Sequence, residues 1–454
     1  MDRRFESRRE EVLAECHVPP AVFNGMMERL VNFAVPFVEH LVRPEQREHT
    51  QTYLQGLLSD LQRKNAEAIA YRHDEDRQGL QTFIGTASWE HRPLLDELAR
   101  QVAGELGEPD GILVFDPSAF AKKGNRSVGV ARQWCGRLGK QENCQVGVFL
   151  GYVSRMEHAL VDMRLYLPEE WTKDRPRCKA AGVSRTEMRF RTRHELALEM
   201  LESKGPLLPH AWITGDDEMG RPAWFRRELA DRNECYLLAV PSNTTIRDLE
   251  AESPAYGGHG RRPKVPFQQL GKWCDSLPAI AWTKLEVRDA AKGPIAVEIV
   301  RRRVLAKIER KVGPEETLVV IRSLDEQQGV KTDYYLSCAS QETPLAEFAR
   351  VANAEHRIEE CIKRGKSEAG MAQYQARNWL GWHHHITLCL IAVWFLLREA
   401  RRGKKMDAGD HRATSSATIR ANPPRRLRLR HAHSDSRRMR AVAGAQQACR
   451  SRSP

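Results

Sequence analysis

Three acidic residues of this 454-residue chain stand where carboxylates can do chemistry. Asp116 follows the apolar run Ile112 to Phe115 and precedes Pro117, which reads as a buried strand that stops where a carboxylate emerges. Asp216 comes after the apolar run AWIT and Gly215, and Glu359 lies in the helical pattern HRIEECIKRGK. Two strand ends and one helix can bring three such groups together. Carboxylate oxygens suit Mg²⁺, a hard cation that keeps several of its waters. Two such ions, about 4 Å apart, would stabilise the attacking and leaving oxygens of an in-line displacement on a phosphodiester. One ligand set then serves hydrolysis and strand transfer in turn, because only the nucleophile changes from water to a 3′-hydroxyl. The expectation is a site that cuts and joins DNA strands.

Residues 1–105, upstream of the first acid, read as helices separated by short breaks. Val22 to Val42 carries apolar residues at helical spacing, Tyr53 to Leu61 continues that character, and Pro93 opens a further helix through Leu94, Leu95, Leu98 and Val102. This helical domain has basic edges and is a candidate for DNA contact, although solvated charge explains such edges equally well. From Gly111 the texture changes to strands. Asp116 is followed by a Gly-rich basic loop, then by QVGVFLGYVS and HALVDMRLYLP, which the short RME link makes a hairpin. Lys122, Lys123, Arg126, Arg132, Arg137 and Lys140 in that loop are candidates to hold DNA phosphates beside Asp116. A helical pattern over Arg185 to Ser203, the strand leading to Asp216, a helix over Pro222 to Arg232 and a strand at Tyr236 to Val240 complete residues 106–240. The order is that of an α/β domain, a mixed sheet flanked by helices. Residues 241–314 break the rhythm as a β-rich insertion. The α/β domain resumes over 315–400 with TLVVIRSL, DYYLSCAS and the helix of Glu359, and 401–454 is an Arg-rich tail with the composition of a disordered segment.

The net charge of +12 favours a polyanionic partner, with nucleic acid ahead of an anionic membrane surface. Ten cysteines are scattered without a CxxC pair or zinc spacing, which excludes a disulfide framework or a zinc finger and suits reduced thiols in the cytoplasm. The charged N-terminus lacks an apolar signal region, so secretion is not expected. The longest apolar run, Ile386 to Leu397, is too short to span a bilayer and reads as a core helix.

Other motifs carry less chemistry. RGKS at Arg364 to Ser367 ends like a phosphate-binding loop, but Glu360 stands where that loop needs its first Gly. His383, His384 and His385 point in different directions around a helix, so core and surface packing is expected of them rather than metal. Trp273 and Trp282 could stack on a flipped base at a cut end, with packing inside the insertion as the preferred reading.

Four stretches together carry a resemblance: SVGVARQWCGRLGKQENCQVGV from Ser127 to Val148, the upstream YLQGLLSDLQRKNAEAIA, LQTF at Leu80 to Phe83, and GWHHHITLCLIA. In this order they closely resemble bacterial insertion-sequence transposases of the DDE superfamily, from about Tyr53 to Leu397. The resemblance implies a ribonuclease H-like catalytic domain with a β-rich insertion. It also implies a protein that binds the terminal inverted repeats of its element on double-stranded DNA, cuts at the ends and joins the 3′ ends to target DNA. Two Mg²⁺ ions, with Mn²⁺ as a substitute, a homodimer in the synaptic complex and a nucleoid-associated location follow from the same likeness.

Carried over by motif, the catalytic and metal-binding acids fall on Asp116 in LVFDPSAFAKKG, on Asp216 in ITGDDEMG with Asp217 as its rival, and on Glu359 in the IEE triplet. The motif also places a Lys seven residues after its Glu; Lys366 therefore shares a helical face with Glu359 and would reach a phosphate. The family favours Tyr and Arg seven and four positions before the Glu and an aromatic just after that Arg, where this chain has Ala352, Glu355 and His356. That departure leaves a second reading open, a catalytically impaired DNA-binding relic or regulator of the element.

Overall fold

The computed structural model describes residues 25–289, 293–308, 311–325 and 329–406, so most of the basic tail expected at 401–454 lies outside the described residues. Among the described residues five helices come first: α1 (Met26–Val38), α2 (Pro44–Leu57), α3 (Ala66–His73), α4 (Arg77–Gly85) and α5 (Arg92–Leu106). Their starts follow from local chemistry. Proline opens α2 and α5, where its missing N–H costs nothing. Asn65 accepts from the Ala68 amide at 2.8 Å to cap α3.

The α/β part contains β1 (Ile112–Ala121), β2 (Ala131–Cys135), β3 (Lys140–Val153), β4 (His158–Leu165), α6 (Glu169–Lys173), α7 (Arg175–Ala180), α8 (Arg193–Lys204), β5 (Trp212–Gly215), α9 (Asp217–Gly220), α10 (Ala223–Asp231) and β6 (Tyr236–Ala239). It continues with β7 (Thr245–Asp248), β8 (Gln268–Gln269), α11 (Leu270–Asp275), β9 (Thr283–Asp289), β10 (Gly293–Ile308), β11 (Lys311–Asp325), β12 (Gly329–Ser337), α12 (Leu345–Glu368) and α13 (Trp379–Met406). The strands form a single mixed sheet in the order β2-β3-β1-β5-β6-β12-β11-β10-β7-β8, with β4 on β3 and β9 on β10. β1 is antiparallel to β3 and parallel to β5, which is parallel to β6. This mixed sheet flanked by helices agrees with the ribonuclease H-like fold expected from the sequence. The strands of the β-rich segment extend that sheet from β12 outward and build a core of their own around Trp273, Leu318 and Val320.

Residues 27–399 form one compact unit; outside it, the described residues are Gly25, Met26 and the last turns of α13. Within the unit, α13 is a central strut. Trp379–Gly403 is long and apolar enough to cross a membrane, so the short apolar run was the wrong argument; yet 83% of its most apolar window is buried in the protein, as expected of a core helix. Phe395 packs on Phe33 of α1, and His384 stacks on Trp89. The Tyr53 hydroxyl donates to His385 Nδ1 at 2.9 Å while His385 Nε2–H donates to the Gly370 carbonyl at 3.0 Å, which defines a neutral tautomer. Burial pushes His383 and His385 down to about 3 and His384 to about 4. The three histidines are core residues.

Three local readings change. The strand of Asp116 does not stop there: β1 runs on to Ala121 because β3 continues to pair with it, and only the parallel pairing with β5 ends at Phe115. The basic loop after Ala121 contains β2, whose partner is the first half of β3. The helix predicted from Arg185 starts instead at Arg193, because Thr192 and Glu195 form a reciprocal capping box.

Helix α12 crosses the sheet at a distance set by Gly151 of β3. A Cβ there would stand 2.3 Å from Ile358 Cδ1, well inside contact. Trp212 Nε1 donates to Glu347 at 2.9 Å, Arg350 donates to the Asp110 carbonyl at 2.8 Å, and Arg357 donates to the Ser154 carbonyl at 2.8 Å, so the helix is tied to both edges of its seat. Gly151→Ala is expected to overpack this seat and to lower unfolding stability by about 1–3 kcal/mol. Urea denaturation measures it, and an unchanged midpoint would show that the close approach is not a constraint.

Candidate active site

Strand alternation decides which way the first acid faces. Val114 lies opposite Gly151, against which Ile358 packs, and the Ser118 hydroxyl meets Lys366, so the even-numbered residues of β1 face α12. Asp116 lies between them and shares that face, while Phe115 points the other way and meets Phe225. The distances agree: eight residues of helix from Ile358 to Lys366 rise ~12 Å, and four residues of strand from Val114 to Ser118 span ~13 Å.

The second acid is placed by register. Phe115 pairs with Gly215 as the last pair between β1 and β5, so Asp116 and Asp216 are the next residues of two adjacent parallel strands. Strand spacing brings their backbones to roughly 5 Å of one another. Asp216 is also the N-cap of α9 and accepts from the Met219 amide at 3.0 Å. Asp217 turns outward, exposed and paired with Arg221 at 3.0 Å. Of the two rivals, Asp216 is therefore the neighbour of Asp116.

Glu359 projects from α12 at the rim. Its side chain is 74% exposed and pairs with His356 at 3.8 Å, and this partner holds its carboxyl below the usual range. Glu359 and Asp216 line one open groove of about 540 Å³ together with Asp217, Glu355, His356 and Lys331. Lys366 donates to Ser118 Oγ at 2.8 Å and to the Ala119 carbonyl at 2.9 Å, beside Asp116 on β1.

The basic candidates separate. Lys123, Arg126 and Arg132 are exposed. Lys122 is half-buried, its ammonium 3.4 Å from the centre of the Tyr374 ring, and burial lowers it to about 8. Lys140 pairs with Glu142 at 3.3 Å, and the side chain of Arg137 is not among those described. Trp273 is buried and donates to Asp248 at 3.0 Å, while Arg322 lies 3.8 Å from the ring of Trp282, so both pack within the β-rich segment.

Charge is the dominant feature of this face. Burial, and then Asp216 and Glu359, push the Asp116 carboxyl up to about 8. Burial lifts Asp216 to about 7 against the opposing Met219 hydrogen bond, with Glu218 and Asp217 adding to the rise. Burial again, followed by Asp216 and Asp116, lifts Glu355 to about 8. Sequence reasoning noted Glu355 only as a departure. Its signal was there in the spacing, since i and i+4 share a helical face and Glu359 is four residues on.

Carboxyl oxygens in this number, repelling one another behind little solvent, suit a hard divalent cation. Among the described residues no hydrogen bond or ion pair engages the side chain of Asp116. Also among the described residues, no three His, Cys, Asp or Glu side chains stand close enough to hold one ion as placed. Asp116 and Asp216 would be the fixed ligands, and the exposed Glu359 would have to change rotamer, a ps–ns motion, to join them.

The same charges set a pH dependence. Asp116 and Asp216 bind protons more tightly when folded than unfolded, since about 8 and about 7 lie above the ordinary 3.8. Their contribution to stability is full below pH ~4 and is lost as pH rises through ~7 to 8. The buried histidines act oppositely, but only below their unfolded value near 6.5. In EDTA, the melting temperature is therefore expected to fall between pH 6.5 and 8.5, and Asp116→Asn to flatten that fall. A native melting temperature that is constant over this window would contradict the arrangement.

A family model described as DDE superfamily endonuclease matches residues 36–294, more than half of the chain, including Asp116 and Asp216 and ending before Glu359. The probable transposase for insertion sequence element IS701 of Microchaete diplosiphon is 31% identical over 214 residues, 44% of this chain and 50% of that relative. The match thus spans half the length of the relative. With the strand order and the paired acids, the family match identifies this chain as a member of the DDE superfamily endonucleases.

Proposed function

We propose that this chain is the transposase of an insertion sequence. It binds the element's terminal inverted repeats, cleaves the DNA strands at the ends and transfers the 3′ ends to target DNA. The observation that carries this reading is the placing of Asp116 and Asp216 side by side, each one residue past the last pair of two adjacent parallel strands, beneath the helix of Glu359 and Lys366. Asp116, Asp216 and Glu359 hold divalent cations, Mg²⁺ or Mn²⁺. Bound there, the cations supply Lewis-acid stabilisation of the attacking and leaving oxygens. Asp216 is held for this task by its cap bond to Met219, and Asp116 by the sheet on both sides. Lys366 lies beside the scissile phosphate, and the exposed Lys123, Arg126 and Arg132 meet the DNA backbone, where cations fix position rather than sequence. Lys122 contributes from its seat on Tyr374. In this reading residues 1–105 supply further DNA contact, the β-rich 241–314 is an insertion within the catalytic domain, and two copies join two ends on DNA in the nucleoid.

One observation favours a second reading. Ala352, Glu355 and His356 replace residues the resemblance calls for, which suits a protein that binds the ends without cutting them.

The test is strand cleavage of a supercoiled plasmid carrying the DNA ends that flank the gene, with Mg²⁺ or Mn²⁺. Cleavage at the element boundary by the native protein is expected to fall at least about 100-fold in Asp116→Ala, Asp216→Ala and Glu359→Gln, since even indirect support of a metal ligand is worth 10- to 100-fold. Asp217→Ala is expected to cleave as the native protein does. Binding of the ends without cleavage under either metal would overturn the enzyme reading in favour of the second.

A further inference from the structure

Resting on the metal-dependent reading above, we infer that Glu355 is a fourth carboxylate of the site and a direct ligand of its divalent cation, seated inward of Glu359. Glu355 precedes Glu359 by one turn of α12, so the two acids share a face of the helix. Both line the groove that Asp216 also lines. They differ in what surrounds them. Glu359 leans out to His356 and is largely in solvent. Glu355 is half-buried. Among the described residues, no hydrogen bond or ion pair engages that carboxyl.

The charges acting on it are unbalanced. Asp216 and Asp116 lead, Asp333 adds to them, and Lys331 opposes them. Tyr335 of β12 and Ala352 lie on the same groove and offer Glu355 no cation. A half-buried acid set among other acids is costly to ionise alone and gains from a cation held between them. The acids that surround Glu355 are those that also need a cation, and one ion between them relieves all three. The resemblance has an Arg at this position, which would bring its own charge. An acid there would offer the ion a ligand from α12, so the exchange at Glu355 is compatible with a working site.

The test is Mn²⁺ binding by the full chain, followed by electron paramagnetic resonance of the free ion at pH 8, without DNA. The native protein is expected to bind Mn²⁺, and Asp116→Asn to bind it at least about 10-fold more weakly. Glu355→Gln is expected to weaken binding by about 10-fold or more. In EDTA at that pH it should melt no lower than the native protein, because it removes a repelled charge. Glu355→Asp, which keeps the charge on a shorter stem, is expected to bind more tightly than Glu355→Gln. Native Mn²⁺ affinity in Glu355→Gln, with Asp116→Asn still impaired, would overturn the role of Glu355 and leave the site standing. Equal affinity in the native protein and Asp116→Asn would overturn the metal reading itself, and this inference with it.

Discussion

The rest of this structure depends on two carboxylates being held side by side where they repel. Parallel pairing of β1 and β5 ends at Phe115 and Gly215, and the next residue on each strand is an aspartate. Neither can move away. Asp116 is fixed by ten consecutive residues of pairing with β3, and Asp216 by its place at the head of α9. Burial raises both above the ordinary carboxylate range, helped at Asp116 by Asp216 and Glu359 and at Asp216 by Glu218 and Asp217, a standing electrostatic cost in the absence of a cation. Such a cost in a cleft is a reason to look for function there.

The scaffold serves that pair. Gly151 lets α12 settle close on the sheet, and three hydrogen bonds from Trp212, Arg350 and Arg357 fix its position. Lys366 is thereby delivered to the stretch of β1 just past Asp116, and Glu355 and Glu359 to the groove beside Asp216. Farther off, the three buried histidines of α13 hold the N-terminal helices to the same unit through aromatic contacts and neutral hydrogen bonds. Packing rather than metal binding was expected of them, and all three are buried.

Much of this was legible in the sequence, because short apolar runs ending in an acid are local signals. Asp116 and Asp216 were found that way, and α10 and α5 by their proline starts. What was missed depended on partners distant in the chain. That β1 outlasts Asp116 is decided by β3, and Lys122 is turned from a free cation into a packed one by Tyr374, some 250 residues later. β2 was hidden because Ala131 to Cys135 is short and sits inside a Gly-rich, basic stretch that reads as loop until β3 pairs with it. Glu355 was passed over because an acid one turn from another usually reads as solvated surface; only the approach of Asp216 and of β12 sets it in the groove. The start of α8 was readable and misread, since Thr192 and Glu195 are a capping signature.

The central claim is that Asp116, midway along β1, and Asp216, just past the end of β5, form a divalent-cation site under α12. Anomalous diffraction from crystals of the protein grown with Mn²⁺ tests it most directly. The account predicts a manganese peak bridged by Asp116 and Asp216, with a carboxylate of α12 turned toward it. Manganese bound elsewhere, with the two aspartates protonated and bonded to each other, would contradict it.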